Sequence, residues 1–524
     1  MSTLLGCGDD VASTGGNTGM APGTGGPTSS GPGMTTDAVM PTSSGSTGSD
    51  DHGTTTTTTT TGEDPSSSGS DSSEPDSSTT WEPLGCPIVE DDPPLIDCKF
   101  GPPVAEFTPT LQWSFTPDDG HVNSVITPLV GNLTDDNGDG VIDLQDTPDI
   151  VLIAYAVQPL SFLKGIRPSS ALYVIDGATG GLHLRIKDAF WTSTPAIGDI
   201  DGDGLMEIVV VDRSGRGLAA YEHDGTLKWR TEALIPYFMY STKSLALADL
   251  DNDCEVEILF DGMVLDRHGQ LIQKVFEYGA HAPSAADIDG DGDLEVIMDW
   301  GVFHHDGTVL FQPPNWDLHA TTIQAADFDG DGEPELRFSS DLGFSMMEHD
   351  GTMKYEALKP AGWDEGVTST SPVYDLDHDG VPEFFTANHW LTAYRGDASI
   401  LWSVVLPGDT PGTMGEPTAF DLLGDGTPEV IYSDQNFLWI LDHTGAILWK
   451  EPHHQAAADK RLVVVADVDN DHAAELLLVS GGTPWESNLF PTLRVFSDAN
   501  NRWAPARRIW NQQTYHITNV VSIV

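Results

Sequence analysis

Residues Asp199, Asp201, Asp203 and Glu207 frame a nonapeptide, D-I-D-G-D-G-L-M-E, that concentrates hard oxygen donors in one tight loop. Carboxylates at positions 1, 3 and 5 turn the same way, the glycine at position 6 allows the left-handed backbone that bends the loop, and a fourth carboxylate at position 9 closes it. A Ca2+ ion takes about six to eight oxygen ligands, and such a loop supplies them from side chains and one backbone carbonyl. Without a cation, four carboxylates this close repel one another.

The pattern occurs eight times, beginning at Asp135, Asp199, Asp249, Asp287, Asp327, Asp375, Asp421 and Asp467, with spacings of 38 to 64 residues. Five loops are regular: Asp135, Asn137, Asp139 and Asp143; the Asp199 set; Asp287, Asp289, Asp291 and Glu295; Asp327, Asp329, Asp331 and Glu335; Asp375, Asp377, Asp379 and Glu383. The first also has Asp146 at position 12, which offers a longer EF-hand-like closure, although Asp143 is the preferred ligand. The loop of Asp249, Asp251, Asp253 and Glu257 has Cys254 where glycine is expected, and that of Asp467, Asp469, Asp471 and Glu475 has His472 there. The eighth, Asp421, Asp425 and Glu429, has Leu423 at position 3 and is the weakest candidate. No His/Cys set accompanies these carboxylates, so zinc is disfavoured.

A period of roughly 40–50 residues signals a propeller or a solenoid. Around each loop lie short apolar runs. Ser193–Gly198 precedes the Asp199 loop, Ile208–Val211 follows, then Leu218–Tyr221, a turn at His223-Asp224-Gly225, and Thr226–Trp229. That is four strands per unit with turn chemistry between them. The third-to-fourth hairpin recurs around Gly307, Gly351 and Gly445, each followed four residues later by an aromatic (Phe311, Tyr355, Trp449) expected to pack between units. Thr110-Leu111-Gln112-Trp113 resembles a fourth strand yet precedes the first loop, so it is expected to complete the last unit and close a ring. The predicted fold is all-β, a single propeller of eight four-stranded blades over 108–500, with seven blades as the alternative.

The loops resemble the FG-GAP (VCBS-type) repeats of bacterial surface proteins and integrin α-chain propellers. The resemblance implies several structural Ca2+ ions in a propeller that binds a protein or glycan at a bacterial surface. The family also includes spacers and some enzymes, and some polysaccharide lyases are eight-bladed calcium propellers, so a spacer and a lyase stay as alternatives.

The chain carries 81 Asp+Glu against 23 Lys+Arg, a net charge of −58, which disfavours nucleic acid and anionic membranes as partners. A monomer is expected. Residues 1–80 open on Leu4-Leu5-Gly6-Cys7, a lipobox-like sequence with Cys7 as the lipidation candidate and the membrane reached only through that anchor. A Ser/Thr/Gly-rich tether follows, including the threonine run Thr54–Thr61, expected to be disordered. A lead-in at 81–107 holds Cys86 and Cys98, expected to pair in an exported protein, which leaves Cys254 over. At 501–524 the only dense basic-aromatic stretch contains Arg502, Trp503, Arg507, Arg508 and Trp510. Its arginines are expected to meet acidic loops and its tryptophans to cover the last blade, with sugar stacking as the functional alternative. Arg395-Gly396-Asp397 spells an adhesive tripeptide, but it occupies a turn position of the repeat. The pairs His304-His305 and His453-His454 are read as loop residues, because neighbours on a strand face opposite ways. No nucleotide-binding, zincin or serine-hydrolase motif occurs, so no catalytic residue or further cofactor is assigned.

Overall fold

Each repeat folds into the antiparallel meander that its turns dictate. The computed structural model describes residues 107–157, 167–236, 243–275, 281–299, 301–312, 322–340, 342–362, 373–387, 390–406, 415–456, 462–482 and 488–514. All of these fall in one compact unit. Cys7, Cys86, Cys98, the tether and nearly all of the lead-in lie outside the described residues.

Blade II shows the plan. Ala196–Gly198, Glu207–Val211, Leu218–Tyr221 and Leu227–Arg230 pair in sequence order. The second strand, Glu-Ile-Val-Val-Val, is buried throughout because blades pack on both of its faces, so apolar residues run on without alternation. Blade I is Leu129–Gly131, Asp149–Tyr155, Ser170–Asp176 and Leu182–Ile186. Blades III, IV, V and VII repeat the four-stranded order over 246–274, 284–311, 322–358 and 418–451. In blade VI, three strands pair over 384–404, and among the described residues the bridge Tyr374 to Glu383 marks the position of the first strand.

Blade VIII combines both ends of the chain. Val464–Ala466, Glu475–Val479 and Leu493–Asp498 are completed by Pro109–Phe115, paired from Pro109 with Asp498 to Phe115 with Leu493. The expected closing strand is therefore in place, and the count is eight. Buried apolar clusters then form an unbroken circuit. One joins blades VIII, I and II through Val464, Leu129 and Ile208, another joins II and III through Val209 and Ile258, and a third joins III and IV through Leu259 and Val296. The circuit continues from IV to V through Ile297 and Phe338, V to VI through Phe344 and Phe384, VI to VII through Phe385 and Tyr432, and VII to VIII through Ile440 and Leu476.

Tryptophans of the fourth strands strap blades II, VI and VIII to the blade that follows. The indole N–H of Trp229 donates to Arg267 O (2.9 Å), that of Trp402 to His443 O (2.8 Å) and that of Trp113 to Gly177 O (2.8 Å), the last crossing from blade VIII to blade I. The receiving turns bring a glycine flat against the ring: a Cβ on Gly269 would lie 2.6 Å from Trp229. Trp229→Phe keeps the ring and loses the hydrogen bond. The expected cost is about 1 kcal/mol, read from the denaturant midpoint, and Trp229→Ala should cost roughly 3–5 kcal/mol.

The basic-aromatic tail is built into the ring. Trp503 is buried in the blade VII–VIII cluster and stacks on Phe107 at 5.8 Å, while Trp510 is buried between blades VIII and I. Ala504 N donates to Leu422 O, Ala474 N to Ala504 O, and Asp467 N to Arg507 O. Trp510 exchanges both backbone hydrogen bonds with Val130 at 2.9 Å, Ile197 N donates to Asn511 O, and Leu247 N donates to Gln512 Oε1. Thr194 Oγ1 then donates to Gln513 Oε1, and Thr514 Oγ1 to Pro283 O. The segment thus bridges antiparallel to the innermost strand of blade I and then bonds to those of blades II and III, passing from the loop end toward the opposite end. The tryptophans cover blade VIII as expected. Of the arginines, Arg508 reaches the first acidic loop through the carbonyls of Leu144 and Asp146, but Arg502 forks onto Asp498, which is not a loop residue. Among the described residues no helix is long and apolar enough to cross a membrane.

Candidate metal centres

All eight acidic loops join a first strand, or its bridge in blade VI, to a second, so they share one end of the ring. Their backbone follows one recipe. Asp199 Oδ1 accepts from Gly202 N (2.6 Å) and Asp203 N (3.2 Å), Oδ2 accepts from Gly204 N (2.8 Å), and Asp203 Oδ1 caps Leu205 N (2.9 Å). Asp135 and Asp327 repeat the three bonds of position 1. At position 9 one oxygen of Glu207, Glu257, Glu295, Glu335, Glu383, Glu429 and Glu475 accepts the N–H of position 2 at 2.6 to 3.1 Å. The glutamate thus locks the loop to the second strand through one oxygen; the other meets a lysine at Glu207 and Glu335 and has no hydrogen-bond partner at Glu475.

Position 6 has positive φ in every loop: Gly140, Gly204, Gly292, Gly332, Gly380 and Gly426, and also Cys254 (67°) and His472 (71°). A Cβ in this region costs roughly 1 kcal/mol. His472→Gly is therefore expected to stabilise the protein by about that amount, measured by chemical denaturation. Position 4 is left-handed as well, which explains Asn252, His378 and Asn470 beside the glycines there. The first loop closes on Asp146, buried, whose oxygens accept from Asn137 N (3.1 Å) and Asp143 N (2.9 Å). Asp143 instead caps Gln145 N (2.7 Å). This is the longer closure, the alternative to the preferred Asp143. Cys254 is disulfide-bonded and so is not the cysteine left over, which corrects that expectation. The other three cysteines lie outside the described residues.

These loops suit a divalent cation. Asp201 Oδ1, Asp377 Oδ1, Asp469 Oδ1 and Glu475 Oε1 are buried with no hydrogen-bond partner. Asp199, Asp201 and Glu207 bring one oxygen each within 4.8 Å of one another, as do Asp249, Asp251 and Glu257. An orphaned buried carboxylate oxygen is costly, and an ion coordinated there removes the cost. Burial, followed by the neighbouring aspartates, pushes the carboxyls of Glu257 and Glu383 up to about 7, Glu429 to about 9 and Glu475 to about 10. The Asp421 loop keeps the position-1 bonds, to Asp425 N and Gly426 N, but Leu423 removes one ligand, as expected.

Side chains from other strands enter the cages, which the sequence alone did not suggest. Lys228 Nζ lies 2.5 Å from Asp201, 3.2 Å from Glu207 and 3.1 Å from Glu222. Lys354 lies 2.6 Å from Asp329, 3.0 Å from Glu335 and 3.1 Å from Glu348. His183 approaches Asp136, Asp149 and Asp176 at 3.4 to 3.6 Å, and His304 approaches Glu295 at 3.3 Å. Two loops therefore do have an imidazole beside their carboxylates, contrary to expectation. Of the two pairs, His304 and His305 contact different acids, and His453 and His454 likewise have separate partners, Glu451 and Ser480. Arg395 pairs with Asp377 at 2.5 Å, while its own segment is a turn closed by Arg395 N to Ser399 O (3.0 Å). The adhesive-looking tripeptide is thus turn and loop structure.

The FG-GAP-like repeat family model matches residues 185–260, which span blade II and the first two strands of blade III. No curated protein sequence matches. Among solved structures, the V. cholerae biofilm matrix protein Bap1 superposes with a TM-score of 0.65 at 19% identity, covering 80% of this chain and 97% of that one. The exotype rhamnogalacturonan lyase YesX aligns at a TM-score of 0.48 and 15% identity over 76% of this chain and 75% of that one. A rhamnogalacturonan lyase of Bacillus licheniformis aligns at 0.48 and 16% over 80% and 77%. The chain is thus an eight-bladed β-propeller in which residues 185–260 match the FG-GAP-like repeat and the same acidic loop pattern recurs in the other blades.

Proposed function

We propose that this protein is a calcium-stabilised propeller serving as a binding module for a protein or glycan at a bacterial cell surface. The observation that carries the calcium part is the set of buried loop carboxylate oxygens without a partner. A cation that binds only the folded ring stabilises it by about 2.7 kcal/mol per site at hundred-fold excess over Kd. The binding part draws support from the fold shared with a biofilm matrix protein, and the surface location from the lipobox-like Cys7 and the long tether. A pull-down from envelope material, run beside a glycan array with calcium and with chelator, tests it. Calcium-dependent retention of a defined glycan or protein is expected, and no retention in either arm would leave a spacer.

One observation keeps the lyase reading in view. At the end of the ring opposite the loops, His281 Nδ1 is bonded to Asp299, and the buried Lys243 is bonded to Asp261, with Ser244 N donating to His281 O (2.8 Å). Burial pushes the Lys243 ammonium down to about 8. A base beside a cation is what abstraction of a uronate α-proton requires. Release of unsaturated product from pectin-type polymers, followed by absorbance and lost in His281→Ala, would establish that activity. A flat trace with wild-type protein is the result the binding-module reading expects.

A further inference from the structure

The repeats can be compared with one another at the fourth strand. The residue just before its aromatic is Lys228 in blade II, Lys354 in blade V and Gln112 in blade VIII. All three side chains reach the position-3 carboxylate of their own loop: Lys228 to Asp201 (2.5 Å), Lys354 to Asp329 (2.6 Å) and Gln112 Nε2 to Asp469 Oδ2 (2.5 Å). The lysines continue to the position-9 glutamate, whereas a neutral amide adds no charge. Across these three cages the number of orphaned oxygens follows this difference, whereas the cages of blades III and VII, with Ile272 and Leu448 at this position, leave none among the described residues. Among the described residues, the blade V cage leaves no buried carboxylate oxygen unpartnered, the blade II cage leaves one, Asp201 Oδ1, and the blade VIII cage leaves two, Asp469 Oδ1 and Glu475 Oε1. Glu475 is fully buried and Oε2 is already committed to Val468 N, so Oε1 is aimed into the cage with nothing to meet it.

We propose that the cages are of two kinds. In blades II and V the ammonium groups of Lys228 and Lys354 are resident counter-ions that hold the loop in shape without a metal. In blade VIII, where glutamine stands in their place, a divalent cation is required. This rests on the calcium reading above. It also ties the ion to ring closure, because blade VIII is where the first strand of the chain meets the last. Gln112 lies on the N-terminal strand, Asp469 and Glu475 belong to the C-terminal repeat, and the tail is fastened to the same loop through Asp467 N and Arg507 O. A cation among these carboxylates joins three segments that are otherwise remote in sequence.

A reciprocal exchange tests this in the full chain. Gln112→Lys is expected to shrink the loss of Tm caused by EDTA and to weaken the tightest class of calcium sites, measured by calorimetric titration, by about tenfold or more, as a built-in ammonium competes with the ion. Lys354→Gln is expected to enlarge the EDTA effect. Gln112→Met, which removes the amide without adding charge, should leave the calcium affinity within about twofold, a few tenths of a kcal/mol. If Lys354→Gln does not fold, Lys228→Gln supplies the same comparison. Wild-type protein insensitive to EDTA would remove the calcium reading itself. Wild-type sensitivity that neither exchange alters would overturn the two-kinds proposal alone.

Discussion

A chain ending at Asn501 should lose its cooperative melt. The missing segment buries Trp503 and Trp510 and supplies backbone partners to Leu422, Asp467, Ala474, Val130 and Ile197, so blades VII, VIII, I and II all lose contacts at once. Removing a buried tryptophan side chain costs about 3–5 kcal/mol, and each backbone group left buried without a partner adds about 1–3 kcal/mol. Together these rival the whole stability of an ordinary domain, about 5–15 kcal/mol. The single change Trp510→Ala is the milder form and should cost about 3–5 kcal/mol, because Leu129, Val130 and Val464 cannot collapse into a space of that size. Circular dichroism and differential scanning fluorimetry read both. A truncated protein that melts within a few degrees of the full chain would show the tail to be an appendage.

The second large effect is an inversion of pH dependence by calcium. In chelator the buried glutamates of the loops must take up protons to be accommodated. Glu257 and Glu383 titrate at about 7, Glu429 at about 9 and Glu475 at about 10 in the folded ring, against an ordinary value of 4.5. Between those limits the folded chain holds more protons than the unfolded one, so stability falls as pH rises. The contribution is complete below the unfolded value and is lost through the folded ones. Chelated protein is therefore expected to melt higher near about pH 5 than near about pH 8, by roughly 10 °C. Calcium needs the ionised carboxylates, so its stabilisation grows over the same interval and should cancel or reverse the slope. Glu475→Gln separates this from general repulsion among the 81 acids: it should flatten the slope in chelator and reduce the response to calcium. A chelated protein whose Tm climbs with pH would contradict the account.

Much of the ring was legible because its rules are local. Asp-Gly turns and the glycine of position 6 impose backbone angles within a few residues. The likeness of Thr110–Trp113 to Thr226–Trp229 identified a fourth strand in search of a blade, and Trp113 does complete blade VIII. The left-handed position 4 is equally legible in its Gly, Asn and His residues. What the sequence could not convey depends on distance. Lys228 enters a cage whose first ligand lies 29 residues earlier, and only the folded hairpin brings it there. The tail exchanges hydrogen bonds with Val130 across 380 positions, which no periodicity encodes. The disulfide of Cys254 is likewise a tertiary fact.

The pairing of Pro109–Phe115 with Leu493–Asp498 also sets the order of assembly. A nascent chain emerging from the ribosome can form its early blades as they appear, but the strand Pro109–Phe115 has no sheet to join until Leu493–Asp498 has been synthesised. That strand must wait unpaired, and closure then spends the entropy of a very large loop in one late step. Once shut, the same arrangement resists opening, since neither terminus can peel away without breaking a complete sheet, and resistance to proteases and slow unfolding are the properties this construction favours.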